Sequence, residues 1–297
     1  MKKLRIGYFA DGPWSHRALE RLLADETLQL AFICARNDNP DPVLKARAEE
    51  EGLDFITHPK INAEDFLARM TTYDCDLFVS MSFNQIFRGE LINLPPLKTI
   101  NCHAGKLPFY RGRNILNWVL INDEREFGIT VHYVDEGIDT GDIIVQRCYP
   151  ISDADDYSTL LQTAYGGCAD NLYDAIKAIQ QGDVTPLAQK DIHPLGLYCS
   201  ARKAGDEQLD WNQPSRDVFN FVRAICRPGP EARTFLGDNE IKINKVQYLS
   251  EAPVYKGVVG AVVGIDGEAF FVKTLDSYVK VAEWSGNSRP RMGDRLK

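Results

Sequence analysis

The stretch NCHAGKLPFYRGR, residues 101–113, places Asn101 and His103 on either side of a single residue in a chain with only five histidines. A carboxamide can donate hydrogen bonds to developing negative charge. An imidazole can take and return a proton near neutral pH. A second segment, EFGITVHYVDEGIDTGDIIVQ, carries Asp135, Glu136 and Asp139 in one acidic, Gly-rich loop between two extended runs. Taken singly, each feature has a plainer explanation. An Asn-x-His at a strand end commonly marks a turn with a surface histidine, and an acidic loop is commonly just solvated. The pairing of the two segments gives them weight.

The elements around them must bring these residues together. PPLKTI reads as a strand ending at Ile100, which puts Asn101 and His103 at its C-terminal edge. Open α/β sheets bind ligands at that edge. Upstream, LRIGYFA is an apolar strand meeting an Asp-Gly-Pro turn, and SHRALERLLADE has a helical period. LQLAFICAR, PVLKARAEEEG with its stop at Gly52, and DCDLFVSMS continue the alternation. Strand and helix in alternation predict a parallel sheet with helices on its faces, doubly wound and Rossmann-like.

The first turn, GYFADGPWSH, lacks the G-x-G-x-x-G spacing of a dinucleotide site, so a nicotinamide-dependent dehydrogenase is disfavoured. No Walker, H-E-x-x-H or G-x-S-x-G motif occurs. A long helix, STLLQTAYGGCADNLYDAIKAIQQG, is stopped by Gly182, and a Pro/Gly-containing connector follows. LDWNQPSRDVFNFVRAIC then predicts a strand, a turn and a helix. EIKINKVQYL, GVVGAVVGIDGEAFFVKT and YVKVAEW predict short strands at hairpin spacing. The expected organisation is a catalytic domain over 1–190, a linker over 191–205 and a small mostly-β, OB-like barrel over 206–297.

Composition narrows the function classes. Hydrophobic residues make up 44% and charged residues 26%, ordinary for a soluble enzyme. The net charge of −8 argues against a broad nucleic-acid footprint, though not against one local basic pocket. No run approaches the ~18 apolar residues of a membrane helix, and the opening MKKLRIGYFADG reads as a first strand, not a signal peptide. The seven cysteines contain no C-x-x-C pair, which points away from zinc or a disulfide framework and toward the reducing cytoplasm.

Asn-x-His, then Leu-Pro-x-x-Arg-Gly, then Gly-x-Asp-Thr-Gly-Asp-Ile resembles the 10-formyltetrahydrofolate-dependent formyltransferases. The resemblance extends through LDWNQPSRDVFNFVRAI and KGVVGAVVGIDGEAFFVKT, and so covers nearly the whole chain. It implies formyl transfer from 10-formyltetrahydrofolate to an amine, with no metal. It carries the catalytic roles onto Asn101, His103 and Asp139. Asn101 would donate to the tetrahedral oxyanion, and His103 would stabilise it and pass a proton to the departing nitrogen. Asp139 would fix the histidine tautomer and hold the ring partly charged. The pterin would lie along Asp135, Glu136, Gly137 and Ile138, with Phe83, Ile86 and Phe87 as the opposite wall. Phe83 and Phe87, four apart, could equally form a helix face against the sheet. His16, His58, His132 and His193 are expected to be structural or exposed.

The acceptor is suggested by departures from the tRNA-modifying branch. AGKLP puts Lys106 where that branch has an apolar residue, and RGRNILNW puts Asn114 where it has a small one. This resembles the sugar-nucleotide N-formyltransferases, with Lys106, Arg111, Arg113 and Asn114 as candidates for the acceptor side. The leading expectation is N-formylation of a nucleotide-linked 4-amino-4,6-dideoxy sugar, UDP or dTDP linked, for glycan synthesis. Its partners would be the sugar nucleotide and a second copy in a homodimer, without nucleic acid or membrane. Methionyl-tRNA formyltransferase is the alternative. A folate-binding module without transfer activity and a formate-releasing hydrolase are further readings of the same motifs.

Overall fold

A computed structural model describes residues 2–297, which form two compact units. In chain order the elements begin with β1 (Leu4–Ala10), α1 (Gly12–Leu23), β2 (Leu28–Ala35), α2 (Pro42–Glu50), β3 (Asp54–Thr57), α3 (Glu64–Thr72), β4 (Leu77–Met81) and α4 (Gly89–Ile92). They continue with β5 (Thr99–His103), β6 (Arg111–Gly112), α5 (Ile115–Ile121), β7 (Glu126–Tyr133), β8 (Ile143–Pro150) and α6 (Tyr157–Gln181). After α7 (Gln189–Ile192) and β9 (Tyr198–Cys199) come α8 (Ser215–Ile225), β10 (Ala232–Leu236), β11 (Asn239–Gln247), β12 (Val262–Asp266), β13 (Ala269–Lys273) and β14 (Tyr278–Gly286). None of the described helices is long and apolar enough to cross a membrane.

The first unit takes in the chain up to Gly112 with Phe127–Tyr149 and Gln162–Cys199. Its seven-stranded sheet has the order β3-β2-β1-β4-β5-β7-β8. The strands from β3 to β5 run parallel, and β7 lies antiparallel to β5, so the Rossmann-like sheet is mixed. β1 is apolar along nearly its whole length because both its faces are covered. Phe9 anchors that core, with the rings of Phe87, Phe78, Phe32 and Phe83 at 4.9, 5.2, 5.5 and 5.6 Å. Such edge-on pairs are worth about 0.5–1.5 kcal/mol each beyond their burial.

Asp41 caps α2, accepting from the N–H groups of Val43 at 2.8 Å and Leu44 at 3.0 Å. Its other oxygen takes the Gly12 N–H at 3.0 Å and meets His16 Nε2 at 2.9 Å, tying the starts of α1 and α2 together. The strand order turns back between β1 and β4, and a ligand crevice opens beyond the C-terminal ends of strands at such a point.

The second unit comprises Arg113–Glu126, Pro150–Leu161 and Ser200–Lys297. It therefore holds more than the C-terminal stretch, because α5 packs on α8 and Asn117 donates to the Ala224 carbonyl at 2.5 Å. Its antiparallel sheet runs β10-β11-β14-β13-β12. The chain end occupies both open edges. Leu296 bridges Leu236 at the end of β10, and Arg295 bridges Ala261 just before β12. Edge backbone groups are thereby paired rather than left as a template for association. The expected strand at Leu209–Trp211 is reduced to a bridge between Gln208 and Arg233. Among the cations of this unit, Arg216 pairs with Asp123 and Asp153, Arg227 with Glu283, Arg233 with Glu240, Lys280 with Asp266, and Arg289 with Glu268.

Candidate active site

β5 begins at Thr99 and runs through His103, so Asn101 and His103 lie within the strand's last residues rather than beyond it. Strand alternation points the two side chains to one face and Cys102 to the other. Cys102 is buried, its Sγ 3.7 Å from the Cys168 carbonyl. Contact with Cys168 and burial hold its thiol well above the ordinary range, which removes it as a nucleophile. On β7, His132 pairs in register with Asn101, and Thr130 with His103.

Asp139 comes from the loop between β7 and β8. A hydrogen bond of 2.9 Å from Tyr133 N to Asp142 O closes that loop, and one of 2.8 Å from Val134 N to Thr99 O ties its start to β5. Its backbone is left-handed, with φ 54°, a conformation that a non-glycine residue keeps only when its surroundings impose it. Asp139 Oδ2 accepts the Gly112 N–H at 2.9 Å and lies 3.7 Å from His103 Nδ1. Oδ1 lies 3.6 Å from Nε2 of the buried His132. One carboxylate thus faces two imidazoles.

Burial by itself would raise the Asp139 carboxyl. The neighbouring imidazoles of His103 and His132 and the hydrogen bond from the Gly112 N–H override it and hold the group well below the usual carboxylate range. The group therefore stays ionised through neutral and mildly acidic pH.

His132 is the residue that motif reading passed over. Its Nδ1 lies 2.8 Å from the Tyr133 carbonyl, and its Nε2 is 3.3 Å from Asn101 Nδ2. With Nδ1–H donating to the Tyr133 carbonyl, Nε2 accepts from the Asn101 amide, and Asp139 Oδ1 lies at ion-pair distance from the same nitrogen. The ring therefore lies between Asn101 and Asp139. The signal available in the sequence was its place near the end of the extended run that follows the Asn-x-His pair, one residue before the last of β7. His132→Phe should keep the fold and lower turnover about tenfold, since both partners lose one anchor. Steady-state rates on the folded variant check this, and an unchanged rate would make His132 a bystander.

His103 Nε2 meets the Tyr110 carbonyl at 2.7 Å. Its contact with Asp139, at 3.7 Å, is an ion-pair distance and not a hydrogen bond. Together the groups offer an amide donor, an imidazole and an ionised carboxylate around one strand end. That set can stabilise an oxyanion and relay a proton.

Of the residues expected to line a flat ring, Phe83 and Phe87 pack on Phe9 in the core. Phe83, Ile86 and Phe87 lie in the loop between β4 and α4, not on a helix. Phe87 is buried against Phe9, Phe83 is half-buried, and Ile86 is 62% exposed. A Cβ on Gly89 would lie 3.0 Å from Glu136 Oε1, so the 135–138 loop abuts the start of α4. Asp135 Oδ1 accepts from Gly137 N at 3.1 Å and Thr140 Oγ1 at 2.5 Å, which shapes the loop and leaves Ile138 exposed.

The acceptor-side candidates separate. Lys106 lies against β7, where a Cβ on Gly128 would fall 2.6 Å from its own Cβ. Arg111 directs Nε and Nη2 at Gln189 Oε1, at 3.0 and 2.7 Å. Arg113 and Asn114 belong to the second unit, where Asn114 precedes α5 with φ 56° and accepts from Arg202 N at 2.9 Å.

Comparison with known proteins places this architecture. Residues 9–165 match the formyl transferase family and residues 202–294 match the formyl transferase C-terminal domain. The methionyl-tRNA formyltransferase of Geobacter metallireducens is 31% identical over 84% of this chain and 78% of its own. That of Citrifermentans bemidjiense is 31% identical over 86% and 79%. Among solved structures, the sugar 3N-formyl transferase WlaRD, crystallised with dTDP and 5-N-formyl-THF, superposes with a TM-score of 0.71 at 21% identity, covering 96% of this chain and 98% of that one. The N-formyltransferase of Helicobacter canadensis, in complex with folinic acid and dTDP-3-aminofucose, gives 0.68 at 20% identity, covering 96% and 100%. Matched in both its catalytic and its C-terminal stretch, the chain belongs to the formyltransferase family and is a formyl-transfer enzyme.

Proposed function

We propose that the enzyme moves the formyl group of 10-formyltetrahydrofolate to the amino group of a nucleotide-linked amino-dideoxy sugar. The observation that carries the choice of acceptor is the charge. The chain is net −8, and Arg216, Arg227, Arg233, Lys280 and Arg289 of the second unit are held by carboxylates at ion-pair distance. A tRNA substrate calls for a surface of unneutralised Lys and Arg along its phosphates. A sugar diphosphate asks only for a few local cations, for which Lys106 on the catalytic unit is a candidate. The ligands of the two solved sugar N-formyltransferases, a folate and a dTDP group in each, support the same reading.

The donor is assigned to the first unit, where Ile86 and Ile138 are exposed apolar side chains available to a flat ring and the 135–138 loop abuts the start of α4. When bound, it supplies a formyl carbon on a nitrogen that can leave. Asn101 Nδ2 donates to the formyl oxygen as negative charge builds there. His103 exchanges its bond to the Tyr110 carbonyl for the reacting groups and carries a proton from the incoming amine to the departing nitrogen. Asp139, ionised, stabilises the protonated ring. The acceptor's C–N bond forms first, placing the charge on the formyl oxygen, and the donor's C–N bond breaks as that oxyanion collapses and the departing nitrogen takes the proton.

One observation favours a second reading: the relatives in sequence are methionyl-tRNA formyltransferases. A panel of UDP- and dTDP-linked amino sugars and methionyl-tRNA, each with 10-formyltetrahydrofolate and read by product mass, decides. The expected result is one formyl group added to a sugar nucleotide, with methionyl-tRNA left unmodified at physiological salt. Formylated methionyl-tRNA with an inert sugar panel would overturn the proposal.

A further inference from the structure

We propose that Gln189, oriented by Arg111, is a positioning residue that sets the backbone of Asp139 so that its carboxylate faces both imidazoles. Gln189 opens α7 and is buried. Its Nε2 donates to the carbonyls of Asp139 and Gly141, both at 2.8 Å. Its Oε1 accepts from Arg111 Nε and Nη2 at 3.0 and 2.7 Å. An amide offers two donor hydrogens and two acceptor lone pairs, and all four are used here. Its orientation is therefore determined, since a guanidinium cannot accept from the NH2 end.

The two carbonyls it holds flank Thr140, and the first belongs to Asp139, whose φ is 54°. A left-handed aspartate keeps that conformation only where its neighbours over-determine it. Arg111 and Gly112 act on Asp139 from two directions. The Arg111 side chain works through Gln189, and the Gly112 N–H reaches Oδ2 directly at 2.9 Å. Gln189 is itself anchored two residues upstream, where Leu187 and Ile143 exchange backbone bonds of 2.9 and 2.8 Å. This reading turns Arg111 from a candidate phosphate ligand into the element that orients the clamp. It also explains why a connector outside the two motifs returns to the catalytic loop.

The inference rests on the catalytic role of Asp139 given above, so its test has one arm that needs no acceptor. Gln189→Met keeps the side-chain length without donors or acceptors. Gln189→Glu keeps and strengthens the pairing with Arg111 but turns acceptors toward two carbonyls. Both variants should lower kcat for formyl transfer tenfold or more, with KM for donor and acceptor within about twofold, because misorientation acts on the reacting geometry. In the acceptor-free arm, ¹⁵N NMR of the imidazoles in the unliganded protein should show altered signals at His103 Nδ1 and His132 Nε2, the atoms facing Asp139. A Gln189→Glu enzyme with wild-type kcat would reduce the residue to a brace for Arg111. Imidazole signals unchanged in either folded variant would overturn the proposal even if the acceptor proves not to be a sugar. Conversely, shifted signals with a wild type inert toward amino sugars would sink the acceptor assignment alone.

Discussion

Asp139→Asn should lower formyl-transfer turnover by about two to four orders of magnitude while the protein stays folded. Loss of a single acid, base or orienting carboxylate in a constellation of this kind has effects on that scale. Asn can still accept the Gly112 N–H, so the loop keeps that 2.9 Å contact. What disappears is the negative charge 3.7 Å from His103 and 3.6 Å from His132. A proton on the His103 ring then loses its counter-charge at the moment the reaction needs it there. The pH behaviour provides an independent check. The Asp139 carboxyl is held below its ordinary value of ~3.9, so its contribution to stability is present above that pH and is lost as the pH falls through the folded value. The variant lacks this contribution, and its stability should fall less steeply on the acid side. Turnover within tenfold of wild type, in a preparation whose circular dichroism is native, would remove Asp139 from the mechanism.

How much of this was legible beforehand depends on whether the signal was local. The apolar run of β1, the period of α1, the Gly182 stop of α6 and the hairpin turn between β12 and β13 are properties of their own residues, and reading them located those elements. Boundaries moved where chemistry acts at the end of an element. α1 starts at Gly12 because Pro13 suits a first helical turn. β3 and α3 carry short, partly exposed patterns, and β10 alternates over only five residues, too few to stand out. The antiparallel direction of β7 and the membership of α5 in the second unit are tertiary outcomes without a local trace. The site divides in the same way. Asn101, His103 and Asp139 were found as motif members, and the structure brings them together. His132 and Gln189 reach them only through strand register and through a connector 50 residues beyond Asp139.

The second large effect is expected from the smallest residue in the opening motif. Gly105→Ala should lower turnover by about a hundredfold or more. A Cβ at this position would stand 2.4 Å from His103 Nε2 and 2.4 Å from the Tyr110 carbonyl oxygen. Those two atoms are the partners of a 2.7 Å hydrogen bond, so the methyl group would wedge between them. Neither neighbour is the free end of a flexible side chain. One is backbone, and the other is a ring whose far side faces Asp139. Gly105 cannot retreat either, because its carbonyl accepts from Thr130 Oγ1 at 2.7 Å and that hydroxyl accepts from Gln146 Nε2 at 2.9 Å. Relief must come from rotating the His103 ring or displacing the Tyr110 peptide, and either one misdirects the imidazole. Overpacking of this kind costs about 1–3 kcal/mol of stability, so the variant should still fold at room temperature. The surfaces around Ile86 and Ile138 lie outside the clash, and folate binding measured by titration should stay within about threefold of wild type. Intact folate binding with lost turnover is the expected combination. If Gly105→Ala turns over at the wild-type rate, the imidazole does not need the orientation that this backbone imposes, and the proton-relay role of His103 fails with it.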